Sequence, residues 1–467
     1  MEHTLRRPPE AWALFAAGIA WLAAAGAAGA LAFALALLPG SLLLASGVGG
    51  LLIWDDPRVR RAGALGAVLG LLLALPMLLV AGLATGLLLF VLAAAAFAAA
   101  GRISLRETPG APGVTQPEPS LRLSAEIAAD DAMLALFDFA LPQPSDAEAQ
   151  RHVRELAEAD ELFAARGWLE KPASFHATPT PFAAVASEQR RFARTHFEHL
   201  RVESGYAPHP DEPGRERWLG YAATRDAHAW LLRHADPGRP WLVCIHGYRM
   251  GHAPIDLTAF RAAELRDRLG LNVLLPVLPL HGPRRIGRLS GDGFFGADVL
   301  DMLHAEAQSM WDLRRWLGWI RAQGGTKIGA YGLSLGGYNA ALLAGLDGEL
   351  ACVVAGIPAT DLAALVWEHG PAHVLHTAES RGLDRERAER VLRVVSPLAF
   401  APLVPAERRW IFAGSADQLV PAAHVQRLVQ HWGEPRTHWY EGAHLTFGAH
   451  AGVARHLAEA LRGAGLA

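Results

Sequence analysis

The chain opens with two long stretches that carry no charge. Residues 11–54 and 62–101 contain no Asp, Glu, Lys, Arg or His, giving runs of 44 and 40 residues. A helix needs about 20 apolar residues to cross a bilayer, so each run is long enough for two. The pattern predicts four crossings within residues 1–104. Turns are expected near Pro39–Ser41 and between Ala74 and Gly82, where Pro76 or Gly82 breaks the second run. Arg6 and Arg7 precede the first run, Arg58, Arg60 and Arg61 separate the two, and Arg102 and Arg106 follow the second. Four crossings place all three clusters on one side, and the positive-inside rule makes that side cytoplasmic. With no ionisable residue inside either run, the region reads as a multi-pass membrane anchor rather than a transport path.

The pattern changes after Arg102. Glu107–Ser120 is a Pro/Gly-rich linker, and Asp146–Trp168 spaces Val153, Leu156, Leu162 and Phe163 along one helical face. Residues 105–195 thus form a linker and helical segment. "THFEHLRVESGY" and "RERWLGYAAT" read as a pair of strands joined by a turn. From Trp241 onward apolar strand-like runs alternate with amphipathic ones: "WLVCIHG", "NVLLPVLPLHG", "KIGAYGLS", "ACVVAGIP", "RRWIFAGSAD" and "THWYEGAH" each precede a helical stretch. This alternation predicts an α/β domain over residues 196–467, a mostly parallel sheet with helices on both faces. Its active residues belong at the carboxyl ends of strands.

Gly332-Leu333-Ser334-Leu335-Gly336 lies between one such strand and its helix. A strand-to-helix turn this tight strains the serine backbone, and only residues without a bulky Cβ two positions to either side let strand and helix approach. Asp417 follows the strand "RRWIFAGSA", and His444 follows "THWYEG". In the order Ser, Asp, His, and with a G-x-S-x-G elbow, the chain from about Phe197 onward resembles the α/β-hydrolase fold family. That resemblance implies Ser334 as nucleophile, His444 as general base and Asp417 as the orienting acid. Asp361 and Glu441 are competing acids. Asp417 is preferred because its turn runs into a Val-Pro helix start like that of the family.

The oxyanion hole needs two backbone donors. The amide of Leu335 is one. For the other, Tyr248 follows His246-Gly247 after the first core strand, and it either donates its amide or walls the pocket. His246, Gly247 and His281 are candidate pocket residues, with His281 expected to pack its loop. An insertion over residues 359–403 resembles a cap, and its apolar segments suit an acyl chain. The net charge of −3 gives no nucleic-acid footprint, and mean hydropathy of +0.17 is high for a soluble enzyme. The two cysteines, Cys244 and Cys352, sit in apolar strands and read as buried thiols. No cofactor or metal is called for. The histidines His246, His252 and His281 lack a ligand spacing.

The expectation is a membrane-anchored serine hydrolase acting on a small-molecule or lipid ester. A peptidase or amidase, an acyltransferase, and a non-catalytic hydrolase-like binding module are the alternatives.

Overall fold

The computed structural model describes residues 8–467 apart from 53–55, 141–143, 237, 296–297 and 371. Arg6 and Arg7, the first of the basic clusters, lie outside the described residues. The chain divides into two compact units, each built from more than one stretch of sequence.

The first unit comprises residues 1–140 with the segments Gly414–Ala423 and Trp439–His450. Four helices occupy the uncharged runs: α1 (Ala11–Ala27), α2 (Gly29–Leu52), α3 (Pro57–Val80) and α4 (Leu83–Glu107). Three of them, α2 to α4, are long and apolar enough to cross a membrane. The 17 residues of α1 rise only about 26 Å, short of a hydrocarbon core of about 30 Å. Four helices fill the two uncharged runs, and three of them reach the length of a bilayer crossing. The first break is corrected: it falls at Ala28–Gly29, where Gly29 takes φ 87°, and α2 runs straight through Pro39. The second break falls at Gly82, inside the expected interval, while Pro76 stays within α3.

Charged pairs mark one end of this bundle. Arg106 holds Glu10 at 2.5 and 2.8 Å, and Arg60 pairs with Glu107. The starts of α1 and α3 therefore share an end with the close of α4.

A fifth helix, α5 (Leu121–Ala140), packs on α3 and α4. It comes so close at Gly101 that a Cβ there would sit 1.7 Å from the Ser124 carbonyl. Ser104 donates to Asp131 at 2.5 Å, and Arg61 pairs with Asp138 at 3.1 Å, so α5 is bonded to the bundle as well as packed on it. Nothing in the hydropathy pattern had set this helix apart from the linker.

The second unit begins with α6 (Asp146–Ala165), started by a capping box of Ser145 and Glu148. Its sheet carries β1 (Ala186–Phe192), β2 (Thr195–Glu203), the short helix α7 (Arg215–Gly220), β3 (Asp226–Leu232), β4 (Trp241–Ile245), helices α8 (Ala253–Ala259) and α9 (Ala262–Leu269), and β5 (Asn272–Val277). After these come α10 (Val299–Ala322), β6 (Ile328–Leu333), α11 (Leu335–Ala344), β7 (Cys352–Gly356), α12 (Leu362–His369), α13 (Ala372–Ser380) and α14 (Arg385–Leu392). The chain closes with β8 (Arg409–Gly414), α15 (Ala422–His431), β9 (Arg436–Tyr440) and α16 (Ala451–Gly463).

The nine strands lie in the order β1-β2-β3-β5-β4-β6-β7-β8-β9. From β5 to β8 neighbours are parallel, while β1, β2 and β3 add antiparallel pairings at one edge. Every residue of β4 to β8 is buried, and because successive side chains point to opposite faces, both faces of the sheet are covered.

The strand expected at "RERWLGYAAT" is corrected: Arg215–Gly220 is helical, and β2 pairs instead with β1 and β3. Gly214 at φ 78° turns the chain there, and Trp218 is pulled inward by a 2.9 Å bond from its Nε1 to Gln308. The helical stretch after β4 is two helices, broken at Arg261 with φ 51°.

Candidate active site

The elbow is built by β6 and α11. Ser334 sits between them at φ 57° and ψ −115°, a conformation that non-glycine residues avoid and that costs on the order of 1–3 kcal/mol. The surroundings hold it there. Its N–H donates to the Gly356 carbonyl at 2.9 Å, and its own carbonyl accepts from Tyr338 at 3.0 Å as α11 begins. The flanking glycines answer a mutual steric demand. A Cβ on Gly332 would lie 1.9 Å from the Gly336 carbonyl, and one on Gly336 would lie 1.8 Å from the Ile245 carbonyl. Ser334 is left partly exposed among buried neighbours. Leu335 is the first residue of α11, where free amides and the helix dipole favour negative charge.

The loop after β4 lies against this turn. A Cβ on Gly247 would come 3.2 Å from the Leu333 carbonyl and 3.3 Å from the Ser334 Cβ, so the backbone of residue 247 lies close against the elbow. The Gly247 N–H goes to the Met250 sulfur at 3.3 Å. The Tyr248 ring packs among His281, Phe294 and Phe295, with the Arg249 guanidinium 4.8 Å from its centre.

His246 has both ring nitrogens engaged: Nε2 accepts from the Leu278 N–H at 3.0 Å and Nδ1 donates to the Gly247 carbonyl at 2.8 Å. Burial lowers its pKa to about 4, so it is a neutral brace between two loops. His281 is fully buried, with Nδ1 on the Pro279 carbonyl at 2.8 Å, and burial drives its pKa well below the usual value.

Asp417 and His444 belong to the first unit. Asp417 ends the turn after β8, His444 the turn after β9, and the two meet at 2.6 Å between Oδ2 and Nδ1, both buried. The other Asp417 oxygen accepts from the amides of Leu419 and Val420 at 2.9 and 2.7 Å. One oxygen thus caps the turn that follows, and the other faces the imidazole. Burial alone would push the His444 pKa down; the charge and hydrogen bond of Asp417, with Asp130 behind, bring it above the ordinary value. Of the competing acids, Asp361 caps α12 through the Ala364 amide and pairs with Arg427 at 2.9 Å, and Glu441 is exposed.

Residues 359–403 carry α12, α13 and α14. A cavity of about 190 Å³ beside α11 is lined there by Tyr338, Asp361, Leu362, Glu389, Arg393 and Arg427. Leu392, Leu398 and Ala399 line it as well, so charged and apolar groups share this cavity.

One carboxylate at the site escaped sequence reasoning. Asp130 of α5, fully buried, accepts from the backbone N–H groups of Gln418 at 3.1 Å, His444 at 2.7 Å and Leu445 at 3.0 Å. One turn earlier Glu126 accepts from the Thr446 hydroxyl at 2.8 Å. The available signal was "AEIAADDAM", with acids four apart in an otherwise apolar helix.

A mostly parallel sheet whose central strand delivers a strained serine into a helix N-terminus is the α/β-hydrolase fold. No family model matches the chain. It is 45% identical over 351 residues to the uncharacterized protein MT2702 of Mycobacterium tuberculosis, covering 74% of this chain and 84% of that protein. It is 44% identical over 351 residues to Rv2627c from another strain, with the same coverage. The chain belongs to the family of these mycobacterial proteins. Among solved structures it is similar to acetyl xylan esterase 1 from Thermoanaerobacterium sp., with 15% identity, TM-score 0.41 and coverage of 62% of this chain and 98% of that one. An acetyl xylan esterase from Paenibacillus sp. gives 16% identity, TM-score 0.42 and coverage of 62% and 98%.

Proposed function

We propose that the chain is a membrane-anchored serine hydrolase that cleaves a carboxylic ester through an acyl-enzyme. Ser334 attacks the ester carbon, and His444 takes its proton as the bond forms. The tetrahedral oxyanion is held by the amides of Leu335 and Tyr248. On collapse His444 returns the proton to the leaving alkoxide, releasing an alcohol. Water, deprotonated by the same base, then frees the acid and restores the serine. Asp417 keeps the imidazole in the tautomer that carries hydrogen on Nδ1 and stabilises the cation formed during attack.

The observation that carries this reading is the backbone of Ser334. A serine kept at φ 57° between two glycines, where a glycine would relieve the strain, is retained for its hydroxyl. The buried Asp417–His444 pair supports the same reading.

Anchoring through the helices of the first unit is part of the proposal. Their apolar side chains stand outward, with Leu79 88% exposed, and the arginine clusters at 58–61 and 102–106 would hold that end of the bundle, and the hydrolase domain, on the cytoplasmic side. A lipid or other amphiphilic ester suits an enzyme so placed.

Membranes carrying the wild-type chain should react with a fluorophosphonate probe, and Ser334→Ala and His444→Ala should not. Loss of either member of such a unit lowers turnover by about a millionfold. Undiminished labelling of Ser334→Ala would sink the reading.

A further inference from the structure

Helix α5 touches the acid and base loops with two carboxylates on one face, Glu126 and Asp130, spaced to stack one turn apart. Asp130 is the more demanding of the two. It is fully buried, and its oxygens take three backbone N–H groups: the residue after the acid, the base itself and the residue after the base. These donors lie 288, 314 and 315 positions away in sequence. The two loops also bond directly nearer their strands, Ser415 N–H to the Tyr440 carbonyl at 2.9 Å and Ala416 N–H to the Gly442 carbonyl at 3.1 Å, and Asp130 adds a shared acceptor at the residues beyond. A buried carboxylate of this kind is costly to keep unless its partners need it.

We propose that Asp130 is a positioning residue for the reaction, clamping the loops that carry Asp417 and His444 so that carboxylate and imidazole hold their register. The proposal rests on the serine-hydrolase reading for its purpose, though not for its geometry. It also gives α5 a task beyond linking anchor and enzyme. The adjacent Asp131 is bonded to Ser104 of α4, so one helix joins the apolar bundle to the acid–base half of the machinery.

Electrostatics make the clamp readable. The titratable groups packed near His444 in its unit are Asp417 on the β8 turn, Asp130 and Glu126 on α5, and His450 beyond the β9 turn. Burial, with the charge of Asp417 added, raises the Asp130 pKa to about 7 against the pull of the His444 imidazole and of the His444 and Leu445 amides. Asp130 in turn helps to raise the His444 pKa.

The test compares the full chain in detergent with Asp130→Asn and Asp130→Glu, using p-nitrophenyl acetate as substrate. Asn keeps the length but sets an NH2 against amide donors; Glu keeps the charge and lengthens the arm. We expect Asp130→Asn to melt cooperatively, to lose about 10- to 100-fold in kcat with KM within about twofold, and to shift the acid limb of kcat/KM to lower pH. Asp130→Glu should return the limb towards wild type. The pKa of His444, read by hydrogen exchange at imidazole C2 with mass spectrometry, needs no turnover. A lowered value in Asp130→Asn is expected. A wild-type chain without esterase activity or probe labelling would overturn the hydrolase reading, while the C2 exchange still decides on Asp130. An unchanged His444 pKa, or failure of both variants to fold, would assign Asp130 to stability alone and overturn the proposal.

Discussion

At the scale of single residues, the elbow is a problem of room. Ser334 pays for its position with backbone strain, and the two glycines of its motif are there because carbonyls occupy the volume that a Cβ would need. Gly336→Ala places a carbon 1.8 Å from the Ile245 carbonyl, so β4 and the start of α11 must part. The expected cost is about 1–3 kcal/mol of stability, in the range of overpacked cores, together with loss of Ser334 labelling by a fluorophosphonate. Thermal melting and probe labelling of the variant check both; wild-type labelling would show that the turn tolerates the methyl. The same residue scale explains what the sequence could announce. The elbow motif and the strand-end Asp417 and His444 are local patterns. Asp130 is recognisable only through amides nearly 300 or more positions away, and no periodicity reports such a contact.

At the scale of elements, α10 shows how a helix can be buried on nearly every side and still carry acids. Glu306 lies at 0% exposure beneath α11, with one oxygen 3.3 Å from the Asn339 amide. Burial raises its pKa to about 8. The sign follows from linkage: the folded chain keeps this proton up to about pH 8, the unfolded chain loses it near 4.5, and stability therefore declines as pH rises through that window. Inside it the slope is about 1.4 kcal/mol per pH unit. Glu306→Gln does not titrate. Melting at pH 5, 7 and 9 should find the variant gaining steadily on the wild type towards alkaline pH, and a constant difference would mean that Glu306 is charged throughout.

Elements were legible in proportion to their burial. β4 to β8 are covered on both faces and read as continuous apolar runs, whereas β1 is exposed along its whole length and gives no pattern. Arg215–Gly220 failed as a strand because its one buried side chain, Trp218, is placed by a hydrogen bond rather than by alternation.

At the scale of the whole molecule the question is which solvent surrounds the first unit. Leu72, Leu75 and Leu79 of α3 are 62, 62 and 88% exposed, at spacings that set them along one side of the helix. In water such a stripe is a liability for aggregation; in a bilayer it is the ordinary outward face. Leu72→Asp separates the two solvents. At an exposed site in water the change should move stability by no more than about 0.5 kcal/mol and improve solubility. Within hydrocarbon an aspartate costs about 2.5–3.5 kcal/mol of insertion, less what tilting or local thinning recovers. Membrane fractionation and melting of the detergent-extracted chain should find the variant depleted from membranes and less stable. A chain that accumulated normally, free of membranes, with Asp at position 72 would remove the anchor from the proposed function and leave the elbow and the Asp417–His444 pair untouched.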